Sequence, residues 1–491
     1  MKLDPILKAF DLLTTRAPLN PLVISPERRA TVSAVDALAR AAGSLLHGLG
    51  LAPGAVVGLA APNGPGFLAS LLALRRAGLA ALLLDVQTPA AERGRILEAL
   101  GASALLRCTS AWPEGPGDWE LERTAPREAA PLSGAAPAAV VKLTSGSTGL
   151  PRGIATPSEA LVADDAALAA SMGLRPDERI LATVPMSHSY GLSSIVMPAL
   201  MRGSVLVVPE EAAVFDPFAT AERTGATFFP TAPAYLDAML RIAEAPARPA
   251  TLRLVTTAGA RLSPETARRF RETFGLAVHV FYGASESGGI CYDREGGAGE
   301  RGTVGTPVEG VRVTLEPPPG EKTGDDDDAA GDVREEGGEE GGVVTVRSAA
   351  VAAGYIPEGD PRLADGRFRA GDVAAWSAGG ELVLRGRLDD LINIKGKKVN
   401  PREVEGVIGQ LAGVEEVAVL GVLLRAQSGE VLRAVIACRP GSLSAEQVLS
   451  WCRPRLSAHK VPRSVLLVPE MPRTSRGKLD RRALLALKGT S

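Results

Sequence analysis

The stretch LRLVTTAGARLSPETARRFRETFGLAVHVFYGASE, residues 252–286, contains the pattern that decides the fold. A short apolar run, LRLVTTAG, precedes the amphipathic segment SPETARRFRETFG, and a second apolar run, AVHVFYGASE, follows it. Short buried strands that alternate with amphipathic helices are typical of βα units in a parallel sheet. The same alternation occurs at 55–86 and 203–233. The first 300 residues are therefore predicted to form an α/β fold with mostly parallel sheets.

Composition excludes several classes of protein. The chain has 491 residues, 45% apolar and 22% charged, with a net charge of −2, so a multidomain globular protein without a nucleic-acid-binding field is expected. Its apolar runs are shorter than a membrane span requires. Charged residues interrupt the first twelve positions, which disfavours a secretory leader and favours the cytoplasm. The four cysteines are too scattered for a disulfide framework or a cysteine-only metal site.

The pattern changes at GRLDDLINIKGKKVNPREVE, residues 386–405. Beyond it, short strands and helices predict a compact α+β unit, so we divide the chain into domains at 1–388 and 389–491. Residues 321–340 hold ten acidic and two basic side chains and are interpreted as a solvated surface insertion. The prediction is a large α/β domain followed by a small α+β domain.

The segment LTSGSTGLPRG, residues 143–153, carries the strongest local signal. Glycines let backbone N–H groups converge on an anion, and hydroxyl groups add donors without bulk. The segment follows an apolar strand and is expected to precede a helix, so it predicts a triphosphate-binding loop. It is not a Walker A loop, because no Gly-Lys-Ser/Thr follows. The candidate phosphate ligands are Thr144, Ser145, Gly146, Ser147, Thr148 and Gly149.

Three other segments carry chemistry. In FYGASESGG, 281–289, an aromatic ring can stack on a base, and Ser285 with Glu286 suits phosphate contact and Mg²⁺ binding. In FRAGDVAAW, a carboxylate fixed by a Gly turn, Asp372, can accept hydrogen bonds from ribose hydroxyls. In PRTSRGKLDRRAL, Lys478 lies on a Gly-flanked loop that could deliver it as a mobile point charge.

Taken together and in this order, the motifs resemble those of the adenylate-forming superfamily, which includes acyl- and aryl-CoA synthetases, nonribosomal peptide adenylation domains and firefly luciferase. The resemblance runs from about residue 30 to 487, and the motifs are closest to those of the acyl-CoA synthetases. It implies a large N-terminal domain of layered parallel-sheet subdomains and a small mobile C-terminal domain that carries the catalytic lysine.

The resemblance also implies a two-step reaction. First, a carboxylate attacks the α-phosphorus of ATP, which releases pyrophosphate and leaves an acyl-adenylate. Lys478 would bridge the two reacting anions, Glu286 and Thr148 would hold Mg²⁺, and Ser285 would contact the α-phosphate. The adenosine-binding residues implied are Gly259, Ala260, Arg261, Tyr282, Gly283, Ala284, Asp372 and Arg387.

In the implied second step, the C-terminal domain rotates about Asp389 and a thiol attacks the adenylate, with coenzyme A as the expected second substrate. The rotation would withdraw Lys478 and bring Lys395 and Gly396 to the site. A residue without a side chain at Gly396 would leave room for a pantetheine arm.

The acid is expected to lack an α-amine. The segment PMSHSYGLS, 185–193, offers His188 and Ser189 where amino-acid-activating relatives carry an aspartate. His188 is predicted to gate the acid pocket or the thiol tunnel. An apolar pocket wall for a fatty or aryl tail is predicted at 228–235 with Phe281 and Ala284.

One departure and two alternatives remain. The phosphate loop ends in Pro-Arg-Gly, with Arg152 where the family has lysine, so the role of Arg152 is open. One alternative is an acyl-AMP ligase that loads an acyl-carrier protein. The other, from a different functional class, is a non-catalytic nucleotide-binding relic, against which the presence of Lys478, Glu286 and Asp372 argues.

Overall fold

A computed structural model describes most of the chain. The described residues are 4–124, 138–145, 151–210, 214–242, 244–317, 341–357, 360–387, 392–394, 397–399, 401–423, 430–472 and 481–487. The proposed domain boundary and the acidic insertion at 321–340 lie outside these ranges.

The first large sheet has nine strands, and six consecutive strands in it run parallel. This sheet contains the 252–286 unit, so the predicted parallel α/β architecture is confirmed there. In spatial order its strands are Thr306–Pro307, Gly288–Tyr292, Val278–Ala284, Leu254–Thr257, Phe228–Thr231, Arg179–Leu181, Val205–Val207, Pro21–Ile24 and Arg29–Thr31.

The second large sheet has seven strands with a parallel centre and antiparallel edges. Its order is Gly354–Ile356, Pro151–Thr156, Val140–Ser145, Ala80–Leu84, Val56–Ala60, Ala104–Cys108 and Trp119–Arg123. The predicted phosphate loop therefore joins two antiparallel strands of this sheet. The expected strand–loop–helix order is wrong, because a strand lies between the loop and the helix Ser158–Met172.

One helix packs against strands of both large sheets and is buried over most of its length. Residues 65–74 of the helix Pro65–Arg76 are all buried, because apolar side chains surround it on every side. Its side chains belong to one apolar cluster with strands of both sheets. The other helices of this region are Pro5–Arg16, Val32–His47, Ala90–Ala99, Ser158–Met172, Ser189–Gly191, Met197–Arg202, Asp216–Thr224, Pro233–Leu240, Pro264–Phe274 and Ala298–Arg301, with a π-helical turn at Leu192–Val196 and a 3₁₀ turn at Pro116–Asp118.

A third, antiparallel sheet shares an apolar cluster with strands of each of the other two. Its strands are Arg312–Glu316, Gly342–Arg347, Arg367–Trp376, Leu363–Ala364 and Leu382–Arg387. Asp372 lies within one of these strands, so the expectation that a Gly turn fixes it is wrong.

The C-terminal part forms a small α+β unit with its own apolar clusters, as the sequence predicts. It contains a hairpin, a three-stranded sheet and three helices among its described residues. The strands are Ile392–Ile394, Lys397–Val399, Glu416–Leu423, Glu430–Ala437 and Ser464–Val468, and the helices are Pro401–Ile408, Ala445–Cys452 and Arg481–Ala486. We call this unit the small lobe and the preceding part the large lobe.

Candidate functional site

The strand that leads into the phosphate loop lies beside the turn that bears Ser285 and Glu286. Thr144 is the last residue before the gap at 146–150 whose side chain the structure describes. It pairs with Arg152, which follows the gap on the neighbouring strand. Residues 146–150 lie outside the described part. The turn at 285–287 connects two strands of the nine-stranded sheet, so each large sheet contributes one motif.

Lys142 connects these two motifs, and the sequence analysis missed it. Its side chain is buried, and Nζ donates a hydrogen bond to the carbonyl oxygen of Ser285 at 2.9 Å. Burial lowers the pKa of Lys142, while the charges of Asp164 and Glu286 act in the opposite direction. The available signal was a lysine inside the apolar run AAVVKL, directly before the loop.

Asp164 holds the other end of the same turn. Its Oδ1 accepts a hydrogen bond from the backbone N–H of Gly289 at 2.8 Å, and its Oδ2 accepts one from Ser193 Oγ at 2.6 Å. Burial raises the pKa of Asp164. Gly288 has a φ of +69°, and a Cβ there would collide with the Asp164 carboxylate. Only glycine allows this close approach.

Glu286 is 8% exposed and belongs to a chain of contacts that also explains Arg152. Tyr355 donates its hydroxyl proton to Glu286 Oε1 at 3.0 Å, and burial raises the pKa of Tyr355. The Arg152 guanidinium carbon lies 3.9 Å from the centre of the Tyr355 ring. Arg152 Nη1 also lies 2.7 Å from Asp360 Oδ2. Arg152 thus stacks on Tyr355, the residue that orients Glu286, and forms an ion pair with Asp360.

The predicted adenosine residues converge at one edge of the fold. Tyr282 donates its hydroxyl proton to Asp372 Oδ2 at 2.8 Å. Asp372 and Arg387 are direct partners on neighbouring strands, although the Arg387 side chain is not described. Thr257 pairs with Val280 in parallel register, so the segments after them, 259–261 and 282–284, emerge at the same edge.

His188 and Ser189 reach this site from the other side. Ser189 Oγ donates to Ser285 Oγ at 2.7 Å, which places segment 185–193, predicted to contact the acid, beside the predicted α-phosphate ligand. His188 Nε2 lies 3.3 Å from Asp85 Oδ2, and Lys397 Nζ of the small lobe lies 3.0 Å from the same oxygen. Burial alone would raise the pKa of Asp85, but the bond from His188 and the charge of Lys397 hold it below its usual value.

A second network joins the lobes through Glu92, which is 3% exposed. Its carboxylate accepts hydrogen bonds from Ser457 N at 2.7 Å, Ser457 Oγ at 2.6 Å and Lys460 Nζ at 2.6 Å. Lys460 also contacts Glu403 at 2.8 Å. A cavity of about 220 Å³ lies between this network and Asp85. His459 lines it, and burial together with the charges of Lys397 and Lys460 lowers the pKa of His459 to about 3.

Part of the predicted acid-pocket wall lies in the hydrophobic core and cannot contact a ligand. Phe228 and Phe229 are fully buried, and they belong to apolar clusters on opposite faces of their strand. They are core residues, because adjacent strand positions face opposite sides of a sheet. Phe281 instead packs against Tyr190, with ring centres 5.6 Å apart. Tyr190 and Thr256 share a hydrogen bond of 2.8 Å between their hydroxyl oxygens.

Several predicted site residues fall outside the described part of the chain. They are Gly146, Ser147, Thr148, Gly149, Asp389, Lys395, Gly396 and Lys478. Among the residues that the structure describes, His, Cys, Asp and Glu form no cluster of three or more that could hold a metal ion. Within those same ranges, no helix combines the length and the apolar character needed to cross a membrane.

Comparison with known proteins identifies the family. Residues 13–356 match the family model described as AMP-binding enzyme, and residues 403–478 match the AMP-binding enzyme C-terminal domain. A feruloyl-CoA synthase of Amycolatopsis sp. is 30% identical over 491 aligned positions, with 94% of this chain and 96% of the relative covered. A long-chain-fatty-acid–CoA ligase of Mycobacterium tuberculosis is 27% identical, with 95% and 96% covered.

Solved structures agree on the fold. The o-succinylbenzoate CoA synthetase of Bacillus subtilis, bound to a product analogue, superposes with a TM-score of 0.81 at 21% identity and 99% coverage of both chains. The same enzyme with its acyl-adenylate intermediate superposes with a TM-score of 0.66 at the same coverage. The chain belongs to the AMP-binding enzyme family and is an acid–thiol ligase of the acyl-CoA synthetase type.

Proposed function

We propose that this ligase converts an apolar carboxylic acid, ATP and coenzyme A into an acyl-CoA, AMP and pyrophosphate. The observation that carries the proposal is the convergence of three predicted motifs. Lys142 links the strand of the phosphate loop to Ser285, Tyr355 orients Glu286, and Tyr282 binds Asp372. These contacts bring the proposed phosphate, cation and ribose ligands to one place.

In the first step, an acid carboxylate oxygen forms a bond to the α-phosphorus, and the bond from that phosphorus to the pyrophosphate oxygen breaks. Two anions must approach, so positioning and charge neutralisation are the main catalytic tasks. We assign the β- and γ-phosphates to the loop at 144–149. Lys478 is assigned to the oxygens of the carboxylate and the α-phosphate, and Ser285 to the α-phosphate alone.

Glu286 fits the donor set of Mg²⁺. It is a single buried carboxylate with one oxygen already oriented by Tyr355, and Mg²⁺ in nucleotide sites takes one or two carboxylates plus phosphate oxygens. We assign Glu286 and Thr148 to the ion. When bound, Mg²⁺ neutralises charge on the leaving pyrophosphate.

In the second step, the thiol sulfur attacks the acyl carbon, and the bond from that carbon to the AMP oxygen breaks. The contact of Lys397 with Asp85, beside His188, supports a role for the neighbouring Lys395 and Gly396 at the thiol entrance. We assign His188 to the wall of that entrance and Asp389 to the hinge. Multiple steps in one cleft require such a lobe movement.

The acid is proposed to be fatty or aryl and to lack an α-amine. Tyr190 and Phe281 offer an aromatic surface next to the Ser189–Ser285 contact. Segment 185–193 contains no carboxylate that could bind an amine. The two relatives named above are a feruloyl-CoA synthase and a long-chain-fatty-acid–CoA ligase, which supports both acid classes. The cytoplasm, which supplies ATP and coenzyme A, is the compartment proposed.

The test is a panel of fatty, aryl and amino acids in ATP–pyrophosphate exchange, followed by thioester formation with coenzyme A or a carrier protein. We expect exchange with an apolar acid and thioester formation with coenzyme A. Exchange without thioester on coenzyme A, but with loading of the carrier protein, would establish the acyl-AMP ligase alternative. Absence of exchange with every acid, despite ATP binding, would favour the non-catalytic alternative.

Lys478→Ala separates the two steps. It should abolish exchange and largely spare thioester formation from preformed acyl-adenylate, because the lysine is assigned to the first step alone. Lys8→Ala, at an exposed position of the first helix, is the matched control and should leave both steps unchanged. Equal loss of both steps in Lys478→Ala would contradict the assignment.

A further inference from the structure

A buried ammonium group lies directly below the phosphate loop. Lys142 is 4% exposed and occupies the strand Val140–Ser145, whose other described side chains include Val140 and Val141, both fully buried. Because side chains alternate along a strand, Lys142 and Thr144 point to the same face. Lys142 is therefore the neighbour of Thr144 on the same face of the strand, and Thr144 is the first candidate phosphate ligand.

The hydrogen bond of Lys142 leaves its own sheet. Its acceptor, the Ser285 carbonyl oxygen at 2.9 Å, lies 143 positions later in the chain and in the turn of the other large sheet. That carbonyl belongs to the peptide that connects Ser285 to Glu286. The bond therefore fixes the orientation of the peptide group that leads into Glu286, and with it the direction of the Glu286 side chain.

Asp164 completes the arrangement from the other end of the turn. Its carboxylate accepts the N–H of Gly289 at 2.8 Å, so the turn is held at residue 285 by a cation and at residue 289 by an anion. The two holders attract each other, and Asp164 is also tied to Ser193. A buried lysine is costly to retain without partners. Here the ammonium group donates to the Ser285 carbonyl oxygen, and the charges of Asp164 and Glu286 favour its charged form.

We propose that Lys142 is a positioning residue that clamps the Ser285–Glu286 turn to the strand entering the phosphate loop, and thereby sets the affinity for Mg·ATP. The inference rests on the proposed function, because it takes Glu286 as the cation ligand. Lys142 acts through the turn and does not itself touch the nucleotide.

The test compares Lys142→Met with Lys142→Gln. Methionine keeps an unbranched side chain but cannot donate, whereas glutamine keeps an N–H donor and loses the charge; both are one heavy atom shorter than lysine, so length does not distinguish them. Dissociation constants for Mg·ATP are measured by titration calorimetry at several Mg²⁺ concentrations, with kcat and KM from pyrophosphate exchange alongside. We expect Lys142→Met to weaken binding about tenfold and to raise KM for Mg·ATP more than it lowers kcat. Lys142→Gln should stay within about threefold of the wild type.

Arg75→Met is the matched control. Arg75 is also a largely buried cation, with its side chain 10% exposed, and Nη1 donates to the backbone oxygen of Leu79 at 2.6 Å, but it lies at the end of the helix Pro65–Arg76. Its loss should lower the melting temperature and leave Mg·ATP affinity unchanged. A merely structural Lys142 would behave in the same way, so unchanged affinity in Lys142→Met would overturn the proposal. Equal weakening in Lys142→Met and Lys142→Gln would also overturn it.

A second pair of variants provides the test if Lys142→Met fails to fold. If Lys142→Met does not fold, the Asp164 charge left without its partner is the expected reason, and the same substitution is made in an Asp164→Asn background. The comparison is then between that double variant and Asp164→Asn alone, with the same tenfold expectation. Binding of Mg·ATP depends neither on the acid nor on the thiol. Failure of the wild type to bind Mg·ATP would therefore refute the proposed function, whereas unchanged binding after loss of Lys142 refutes the clamp alone.

Discussion

Two buried networks that each contain a lysine differ in what they connect. The first joins Lys142, Ser285 and Glu286 across two sheets of the large lobe, and the second joins Glu92 to Ser457 and Lys460 across the two lobes. Under the lobe movement proposed above, a network inside one lobe persists. One that spans both lobes exists only in the arrangement described here. The first can therefore serve both chemical steps, whereas the second can select between lobe arrangements.

The strongest way to break the first network is Glu286→Gln. It removes the carboxylate charge proposed to hold the cation while keeping the size of the side chain and an acceptor for Tyr355. Pyrophosphate exchange should fall about a hundredfold or more, because charge neutralisation at the phosphates is the largest catalytic contribution. Glu381→Gln is the control, since Glu381, directly before the strand Leu382–Arg387, pairs with Arg301 of the helix Ala298–Arg301. Exchange that survives Glu286→Gln would remove this carboxylate from the cation site.

The second network is broken by Lys460→Met, which leaves Glu92 buried without its cation. We expect a destabilisation of the lobe contact by about 3–5 kcal/mol. Thioester formation from preformed acyl-adenylate should slow about tenfold or more, while pyrophosphate exchange changes little. Adding Glu92→Gln removes both charges and should restore part of the rate. The control is Arg439→Met, whose ion pair with Glu415 is exposed on the small lobe. Equal slowing of both steps would contradict a state-selective role.

A smaller effect within the first network is expected from Tyr355→Phe. The substitution deletes only the hydroxyl that binds Glu286, so the Mg²⁺ concentration needed for half-maximal exchange should rise about three- to tenfold. Thr266→Val removes a comparable hydroxyl–carboxylate bond, to Asp237 at 2.6 Å, which joins two helices and does not involve Glu286. The control should lose stability without any shift in the Mg²⁺ requirement. An unshifted requirement in Tyr355→Phe would show that the tyrosine does not orient Glu286.

The smallest expected effect concerns His459 at the contact between the lobes, and it is an effect on stability. Its pKa falls from 6.5 to about 3 in the folded protein, so the unfolded chain takes up a proton near pH 6.5 and the folded chain does not. The resulting stability is present above pH 6.5 and is lost as the pH falls towards 3, by up to about 1.4 kcal/mol per pH unit.

Chemical denaturation between pH 7.5 and 5 checks this linkage. The unfolding free energy of His459→Gln should decrease less steeply on acidification than that of the wild type. His47→Gln, at an exposed histidine, should follow the wild-type curve. Parallel curves for wild type and His459→Gln would exclude His459 as the source, whereas a flatter curve would assign part of the acid sensitivity to the lobe contact.

Much of the fold could be predicted from the sequence, whereas the roles of the candidate site residues stay predictions. The alternation at 252–286 predicted the parallel sheet, and the order of the motifs predicted the family. Short sequence motifs were less successful in predicting the structural surroundings of single residues. Asp372 lies in a strand where a turn was expected, and Phe228 with Phe229 lies in the core where a pocket wall was expected. Apolar composition alone does not tell which face of a strand meets a ligand.

Sequence by itself determined the chemistry, because the residue types and their order specify an acid–thiol ligase of the AMP-binding enzyme family. Only the tertiary structure decided the partners of those residues. Lys142 meets Ser285, Arg152 meets Tyr355, and Glu92 meets Lys460 across separations of 143, 203 and 368 positions. Such pairings depend on how sheets and lobes stack, and stacking is set by the sum of many apolar contacts that no local pattern records.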